Sequence, residues 1–313
     1  MSVVVDQPVR IAGARARERS GARPVSFERA PRWRAYFELT KPGITRMVLV
    51  TTAAGFYLAT GSVDWLLLLH TMIGTALAAS GTNALNQYAE RAADARMQRT
   101  ARRPLPSGRL SPKQALTFSA GIAIAGLLYL LAFVNVPTTL IVALSLTSYV
   151  FVYTPLKRRT WISTVIGAVP GALPILAGWT ASGQPVDAIA ITLFLILFAW
   201  QMPHFFALAW IYREDYARGG FRMLTVVDPS GRRAAWQAVV YTVILLALSL
   251  FLALLAPAST LYLLGAGFTG SAFLALSVIQ WMSRSDRGAW RLFLGSVVYL
   301  PVLLLLLVLD KAI

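Results

Sequence analysis

Nine stretches of predominantly apolar sequence dominate this chain, near residues 44–61, 65–88, 115–134, 138–155, 162–181, 187–211, 236–256, 259–281 and 290–309. A helix needs about 20 such residues to cross a hydrocarbon core of about 30 Å. The sequence therefore predicts an all-α, polytopic membrane protein with about nine transmembrane helices. Composition agrees, because 57% of the 313 residues are hydrophobic and 13% are charged, against roughly 25% charged in soluble domains.

A net charge of +16 would suggest a nucleic-acid partner in a soluble protein. Its distribution points to the lipid bilayer instead. Of the 29 Lys and Arg, all but Lys311 lie in the amino-terminal segment or in alternate connections: Arg10 to Arg46, Arg91 to Lys113, Lys157 to Arg159, Arg213 to Arg233 and Arg284 to Arg291. The intervening turns GSVDW, NVPTT, SGQPVD and APAST carry none. This is the positive-inside pattern for an odd number of spans, which puts the N-terminus in the cytoplasm and the C-terminus outside.

With no cysteine, disulfides and thiolate metal sites are excluded. Residues 1–34 hold eight Arg against three acids and no long apolar core, so they are not a secretory signal. They read as a disordered basic cytoplasmic tail beside anionic lipid, which leaves residues 35–313 as one transmembrane domain. A mitochondrial presequence is the rival reading of an Arg-rich, acid-poor start, and the scarcity of Ser weighs against it.

The inner connections are long and the outer ones short, so chemistry is expected on the inner side. There the second span runs into NQYAERAADARMQRTARRPLPSG, residues 86–108. At about 100° per residue, Asn86, Glu90 and Asp94 fall at roughly 0°, 40° and 80°, on one stripe of a helix. Acids at the mouth of a membrane are costly and by default functional, although any single one could belong to a helix end opening into water. Carboxylates attract cations, and the guanidinium groups of Arg99, Arg102 and Arg103 attract anions. Together they suggest a metal-bridged phosphate, because Mg²⁺ takes one or two carboxylates plus phosphate oxygens while Arg and Lys hold the remaining charge.

A second polar end follows the sixth span in HFFALAWIYREDYARGGFRML, residues 204–224. If that helix is continuous, His204 and Asp215 share a stripe about 16 Å apart along the axis. The two ends resemble a weak internal duplication, with Asp94 and Asp215 in corresponding places. Pro203, and the Gly and Pro residues of 167–178, interrupt the sixth and fifth spans; Gly167 and Gly171 read as close helix packing. His70 lies at the outer end of the second span, about 160° from Asn86, and reads as structural or as part of a separate outer site.

Taken together, LTKPGITRMVL (39–49), NQYAERAADARMQRT with RPLPSG (86–108), YTPLKRRT (153–160), GALPILAGW (171–179) and WQMPHF (200–205) resemble the UbiA-type membrane prenyltransferases, and within them the protohaem IX farnesyltransferase (haem O synthase) branch. The resemblance spans about residues 35–300. The acid motif is common to the superfamily, whereas WQMPH and LTKPGIT narrow it to the haem branch. It implies a nine-helix UbiA-like bundle in the bacterial plasma (inner) membrane, with the mitochondrial inner membrane as the lesser alternative. It further implies a cytoplasmic site, Mg²⁺, farnesyl diphosphate as donor and haem B as acceptor. Haem O would be the product, and a haem A synthase is a candidate protein partner.

Carried over by position, Asn86, Glu90, Asp94 and Asp215 would hold Mg²⁺ and diphosphate. Arg99, Arg103, Lys157 and Arg158 would neutralise the leaving group, with Arg102, Lys41 and Arg46 as further candidates for the same charge. Tyr149, Tyr153 or Trp200 would face the allylic cation, and His204 would touch haem or position the quenching water. The chain departs from the pattern at Glu90, where many relatives have Asp, at Ala92, where they have another acid, and at Ile211, where other branches carry the first Asp of a pair. Two rival readings remain: a prenyltransferase acting on an aromatic or quinone precursor, and a carrier of anionic lipid.

Overall fold

The structure, a computed structural model, describes residues 31–255 and 258–312. Most of the basic tail expected at 1–34 lies outside the described residues. All regular structure among them is helical. The short α1 (Arg32–Leu39) leads into α2 (Pro42–Thr60), α3 (Trp65–Asp94) and α4 (Pro112–Phe133). α5 (Val136–Thr147) passes through a π-helical stretch, Ser148–Tyr153, into α6 (Thr154–Leu156), and the three pieces make one span. α7 (Ser163–Ala181) and α8 (Ala188–Ile211) are followed by the short α9 (Arg213–Gly219) and α10 (Leu224–Val227). α11 (Arg232–Leu255), α12 (Thr260–Ser283) and α13 (Asp286–Ala312) complete the bundle.

Eight of these spans, counted among the described residues, are long and apolar enough to cross a membrane, and the chain is a multi-pass membrane protein. The remaining stretch of the nine expected is α2, whose 19 residues include Arg46 and several Thr and Gly. These lower its hydropathy relative to the other eight.

The ends of the helices explain the turns that carry no basic residue. Asp64, Asn135, Asp187 and Ser259 each accept a hydrogen bond from the backbone N–H three residues on, capping α3, α5, α8 and α12. Such caps satisfy amides that a helix N-terminus otherwise leaves open. At the other side Ser111 and Gln114 form a capping box for α4. In the described fold His70 has Nδ1 2.8 Å from the Tyr129 hydroxyl and its ring stacked on Phe133.

α7 sits in the middle, packed against α2, α5 and α8, and is the most deeply buried of the spans. Its small residues allow that position. A Cβ on Gly178 would stand 1.8 Å from the Thr52 carbonyl, and one on Gly55 of α2 would stand 2.1 Å from that of Ile175. Gly167 and Gly171 also serve close approach, against the Tyr153 ring and Gln201. Pro174 has no N–H to offer the Pro170 carbonyl, and Ser145 donates to that carbonyl at 3.0 Å. A proline inside a spanning helix is tolerated when a neighbour re-satisfies the backbone in this way.

Candidate functional site

The three oxygen-bearing side chains of the stripe lie on the last turns of α3, all buried: Asn86 1% exposed, Glu90 5%, Asp94 1%. Each meets a cation from a different segment. Lys41 Nζ donates to Asn86 Oδ1 at 2.7 Å, Lys157 Nζ to Glu90 Oε1 at 2.8 Å, and Arg103 to both oxygens of Asp94 at 2.9 and 2.8 Å. Three acceptors on one helix face are thus matched by cations from the α1–α2 junction, the end of α6 and the turns after α3.

Local structure explains how each cation arrives. Lys41 is the N-cap of α2 in a left-handed conformation, φ 48°. This conformation is disfavoured for a residue with a Cβ, and here it bends the chain sharply from α1 into α2. Burial, helped by Arg103 and Lys157 and opposed by Glu90 and Asp94, brings the Lys41 ammonium down to about 7. Lys157 follows α6, and its carbonyl accepts from the Arg222 amide at 2.7 Å. Burial opposes its charge as well, yet Glu90 and the nearby tyrosines hold Lys157 well above the ordinary lysine value. The π-helical stretch ahead of α6 turns Tyr149 and Tyr153 into a ring pair 5.0 Å apart, with the Lys157 ammonium 4.6 Å from the Tyr153 ring centre.

Thr154, absent from the expected site, joins this network. Its hydroxyl donates to the Tyr149 carbonyl at 2.8 Å, so its oxygen is the acceptor for Asn86 Nδ2 at 3.0 Å. A hydroxyl has one hydrogen, so the direction is settled and Asn86 presents its carbonyl to Lys41. A threonine at the end of an apolar span carries no sequence signal of this role.

Asp215 takes a different place from the one its spacing suggested. α8 ends at Ile211 and α9 restarts at Arg213, so the continuous stripe from His204 to Asp215 does not exist. Tyr212, at φ −107° and ψ 23°, breaks the helical period between them. The Asp215 carboxylate accepts from the backbone amides of Gln98 at 3.0 Å and Arg99 at 3.2 Å, and from Arg218. Burial pushes its carboxyl up, but the Arg218 hydrogen bond and the two amides outweigh this and hold it below the usual carboxylate range. Asp215 therefore ties the turns after α3 to α9, and Asp94 and Asp215 do not occupy equivalent positions in their helices. Beneath this tie Ala93, Met97, Ala209, Phe221 and Met223 form a small core.

Among the remaining candidates, Arg99 lies with its guanidinium carbon 4.5 Å from the Tyr212 ring centre. Arg46, Arg102 and Arg158 are exposed and are not among the side chains bonded to the stripe. His204 and Trp200 both bond to Ser296 of α13, away from the acids. Among the described residues no three His, Cys, Asp or Glu side chains cluster closely enough to hold a metal by themselves. The donor set still fits a hard cation shared with a phosphate, since Mg²⁺ needs only one or two protein carboxylates when phosphate oxygens fill the rest. Glu90, Asp94 and the Asn86 carbonyl supply oxygen donors of that kind.

Next to the stripe, between α2, α3, α5 and α7, lies a cavity of about 110 Å³ whose walls include Ile44, Val48, Asn83, Tyr149, Leu173 and Ala177. Its lining is mostly apolar, with Thr75, Thr82 and Ser145 as further polar members, so the charged cluster at one end of the bundle adjoins a space suited to hydrocarbon.

Residues 48–303 match the UbiA prenyltransferase family. A protoheme IX farnesyltransferase of Solibacter usitatus is 46% identical over 288 residues, covering 89% of this chain and 99% of that protein. A protein of the same name from Salinibacter ruber is 42% identical over 276 residues, covering 88% and 98%. Among solved structures, a digeranylgeranylglyceryl phosphate synthase shares the fold with a TM-score of 0.76 at 18% identity, over 90% of this chain and 99% of that one. A UbiA homolog from Archaeoglobus fulgidus bound to GPP and Mg²⁺ gives a TM-score of 0.62 at 15% identity, over 87% and 99%.

Proposed function

The chain belongs to the UbiA prenyltransferase family, and from that premise we propose that it transfers the farnesyl group of farnesyl diphosphate to a vinyl group of haem B, with addition of water, to give haem O. The observation that carries this reading is the pairing on α3, where Asn86, Glu90 and Asp94 each bond to a separate cation. A metal diphosphate is the ligand whose two halves match the two sets. Oxygen donors take the metal and cations take the phosphate. The names of the relatives at 46% and 42% identity support haem as acceptor and farnesyl as the transferred group.

Glu90 and Asp94, with the Asn86 carbonyl, would hold Mg²⁺, which when bound draws negative charge onto the diphosphate oxygens. Lys41, Lys157 and Arg103 would neutralise the charge that develops on the leaving group, the largest contribution such a site can make. The allylic C–O bond then breaks with its electron pair leaving on the diphosphate, and the vinyl π pair of haem attacks the allylic carbon. The cation left beside the pyrrole takes the oxygen of water, and a proton is lost to solvent. Tyr149 and Tyr153 would offer ring faces to the allylic cation, while the apolar cavity would hold the isoprenoid chain and keep stray water away. Asp215 would act by holding the turns that carry Arg99 and Arg103. The positive-inside pattern supports a cytoplasmic site, with N-terminus inside, C-terminus outside and α2 as a ninth span. We assign the protein to the bacterial plasma membrane.

The test is chemical. Purified protein in detergent, given haem B, farnesyl diphosphate and Mg²⁺, should yield a haem whose mass has increased by one farnesyl group and one hydroxyl group. Recovery of unchanged haem B from folded protein that binds both substrates would refute the assignment; prenylation of an aromatic acceptor instead would redirect it within the family.

A further inference from the structure

The cavity beside the stripe has a far end as well as a charged one. Its α3 wall is Asn83, Thr82, Ala79 and Thr75, and Thr75 precedes Asn86 by 11 positions. At about 100° and about 1.5 Å per residue, Thr75 stands within about 20° of Asn86 around the helix and about 16 Å from it along the axis. The α3 face that carries the acids therefore continues, away from the cations, as a wall of the cavity. On the facing helices the cavity reaches Val142 of α5 and Ala177 of α7, which pack with Ala78 and Leu130 in a small buried core.

One turn further, a layer of threonines closes the space. Thr71 on α3 and Thr138 on α5 are fully buried, and Thr180 on α7 nearly so. Thr138 and Thr180 share a hydrogen bond of 3.0 Å between their helices, and the Thr180 carbonyl accepts from Asn135 at 2.8 Å. Thr75 differs from its neighbours on α3. Thr71 and Thr82 donate to the carbonyls of Leu67 and Ala78, one turn back in the helix. The Thr75 hydroxyl is buried and has no partner among the described residues. An unpaired buried hydroxyl is costly, and this one belongs to the wall of a cavity.

The distance from the stripe to the threonine layer is a measure of chain length. At about 1.2 Å per bond of an extended chain, geranyl, farnesyl and geranylgeranyl groups reach about 8, 13 and 18 Å. With the diphosphate at the stripe and the first carbon level with Asn86, three isoprene units and the girth of their terminal methyls end against Thr75. Two units stop beside Ala79, about 10 Å from Asn86, and leave the end of the cavity unfilled. A fourth has to force apart the Thr138–Thr180 pair.

We propose that Thr75, with Val142 and Ala177, is the length gauge for the prenyl donor, selecting a chain of three isoprene units, and that the threonine layer behind it excludes a fourth. This rests on the reading of α3 as a diphosphate site and of the adjoining cavity as the seat of the hydrocarbon. The Thr75 hydroxyl meets the double bond of the last unit, whose π electrons are a weak acceptor.

The experiment titrates full-length wild type in detergent with geranyl, farnesyl and geranylgeranyl diphosphate by calorimetry, with Mg²⁺ and without any acceptor. Farnesyl diphosphate should bind about tenfold or more tighter than either of the others. Ala79→Leu sets a branched side chain across the cavity at the second unit; it should weaken farnesyl diphosphate about tenfold and spare geranyl diphosphate. Thr71→Ala combined with Thr138→Ala opens the layer and strands no partner, because Thr180 still donates to the Leu176 carbonyl. That double variant should bring geranylgeranyl diphosphate within about threefold of farnesyl diphosphate. Wild-type affinities that ignore length or keep rising to geranylgeranyl, or an Ala79→Leu variant that weakens all three donors alike, would overturn the gauge. Those two measurements decide it even where the double variant does not fold. Binding that is blind to length yet dependent on Mg²⁺ removes the gauge and leaves the diphosphate site standing; failure to bind any of the three removes the site first and the gauge with it.

Discussion

Glu90 and Lys157 are the most enclosed ion pair among the described residues, with side chains 7% and 12% exposed. Their double-mutant cycle separates structure from function. Removing one partner of a buried pair leaves an uncompensated charge and costs about 3–5 kcal/mol, whereas replacing both with apolar groups of similar volume is often close to neutral. Lys157→Met and Glu90→Leu should therefore each lower unfolding stability in a detergent–SDS titration by a few kcal/mol. The double variant should recover most of that loss, with a coupling of at least about 2 kcal/mol. Prenyl transfer should behave differently. All three variants should lose roughly 10²-fold or more, the scale for removing a group that stabilises developing charge, because the double variant regains packing but neither the metal ligand nor the phosphate clamp. A double variant as active as wild type would reduce the pair to a structural element. One as unstable as the single variants would show that the 2.8 Å contact is not an energetic coupling.

Three further outcomes follow from particular contacts. Thr154→Val removes the acceptor of Asn86 Nδ2, leaving a buried N–H at a cost of about 1–3 kcal/mol; kcat/KM for the donor should fall while Thr154→Ser retains it, as steady-state kinetics would show. Gly178→Ala brings a methyl group to 1.8 Å from the Thr52 carbonyl, so the α2–α7 crossing must open at about 1–3 kcal/mol or more; Gly121→Ala, with nothing within 4 Å, should leave the melting temperature unchanged or raised. The Arg109 hydrogen bond, with the Arg109 charge, holds Glu38 below its ordinary value of 4.5, against the opposing effect of burial. That contribution is present above the unfolded-state value and lost as pH falls through the folded one. Both side chains are substantially exposed, so it is worth less than about 1 kcal/mol, and the melting temperatures of wild type and Glu38→Gln should converge in acid.

The stripe on α3 was legible in sequence because the helix stays regular as far as Asp94, so a 3.6-residue period carries Asn86, Glu90 and Asp94 to one face. The same arithmetic failed between His204 and Asp215 because Tyr212 interrupts the helix, and a period has no meaning across a break. Asp215 was visible as an acid at a membrane mouth, but its partners, the amides of Gln98 and Arg99, are backbone groups that leave no mark on residue identity. Lys41 and Lys157 were named only through resemblance. Their pairing with Asn86 and Glu90 depends on a left-handed residue ahead of Pro42 and on a π-helical stretch inside a span, neither of which follows from hydropathy. The spans themselves were found within a few residues, except that α3 runs on to Asp94, well past its apolar window, because its polar last turns are buried against α1, α6 and α9.

The central claim is that the α3 stripe and its three cations form a metal-dependent diphosphate site. Its most direct test is the affinity of the purified protein for farnesyl diphosphate measured by calorimetry across a Mg²⁺ titration, in wild type and in Asp94→Asn. Binding should tighten as Mg²⁺ is added, chelator should reverse the gain, and Asp94→Asn should lose the dependence on Mg²⁺. Affinity that is indifferent to Mg²⁺, or a dependence that survives in Asp94→Asn, would contradict the account.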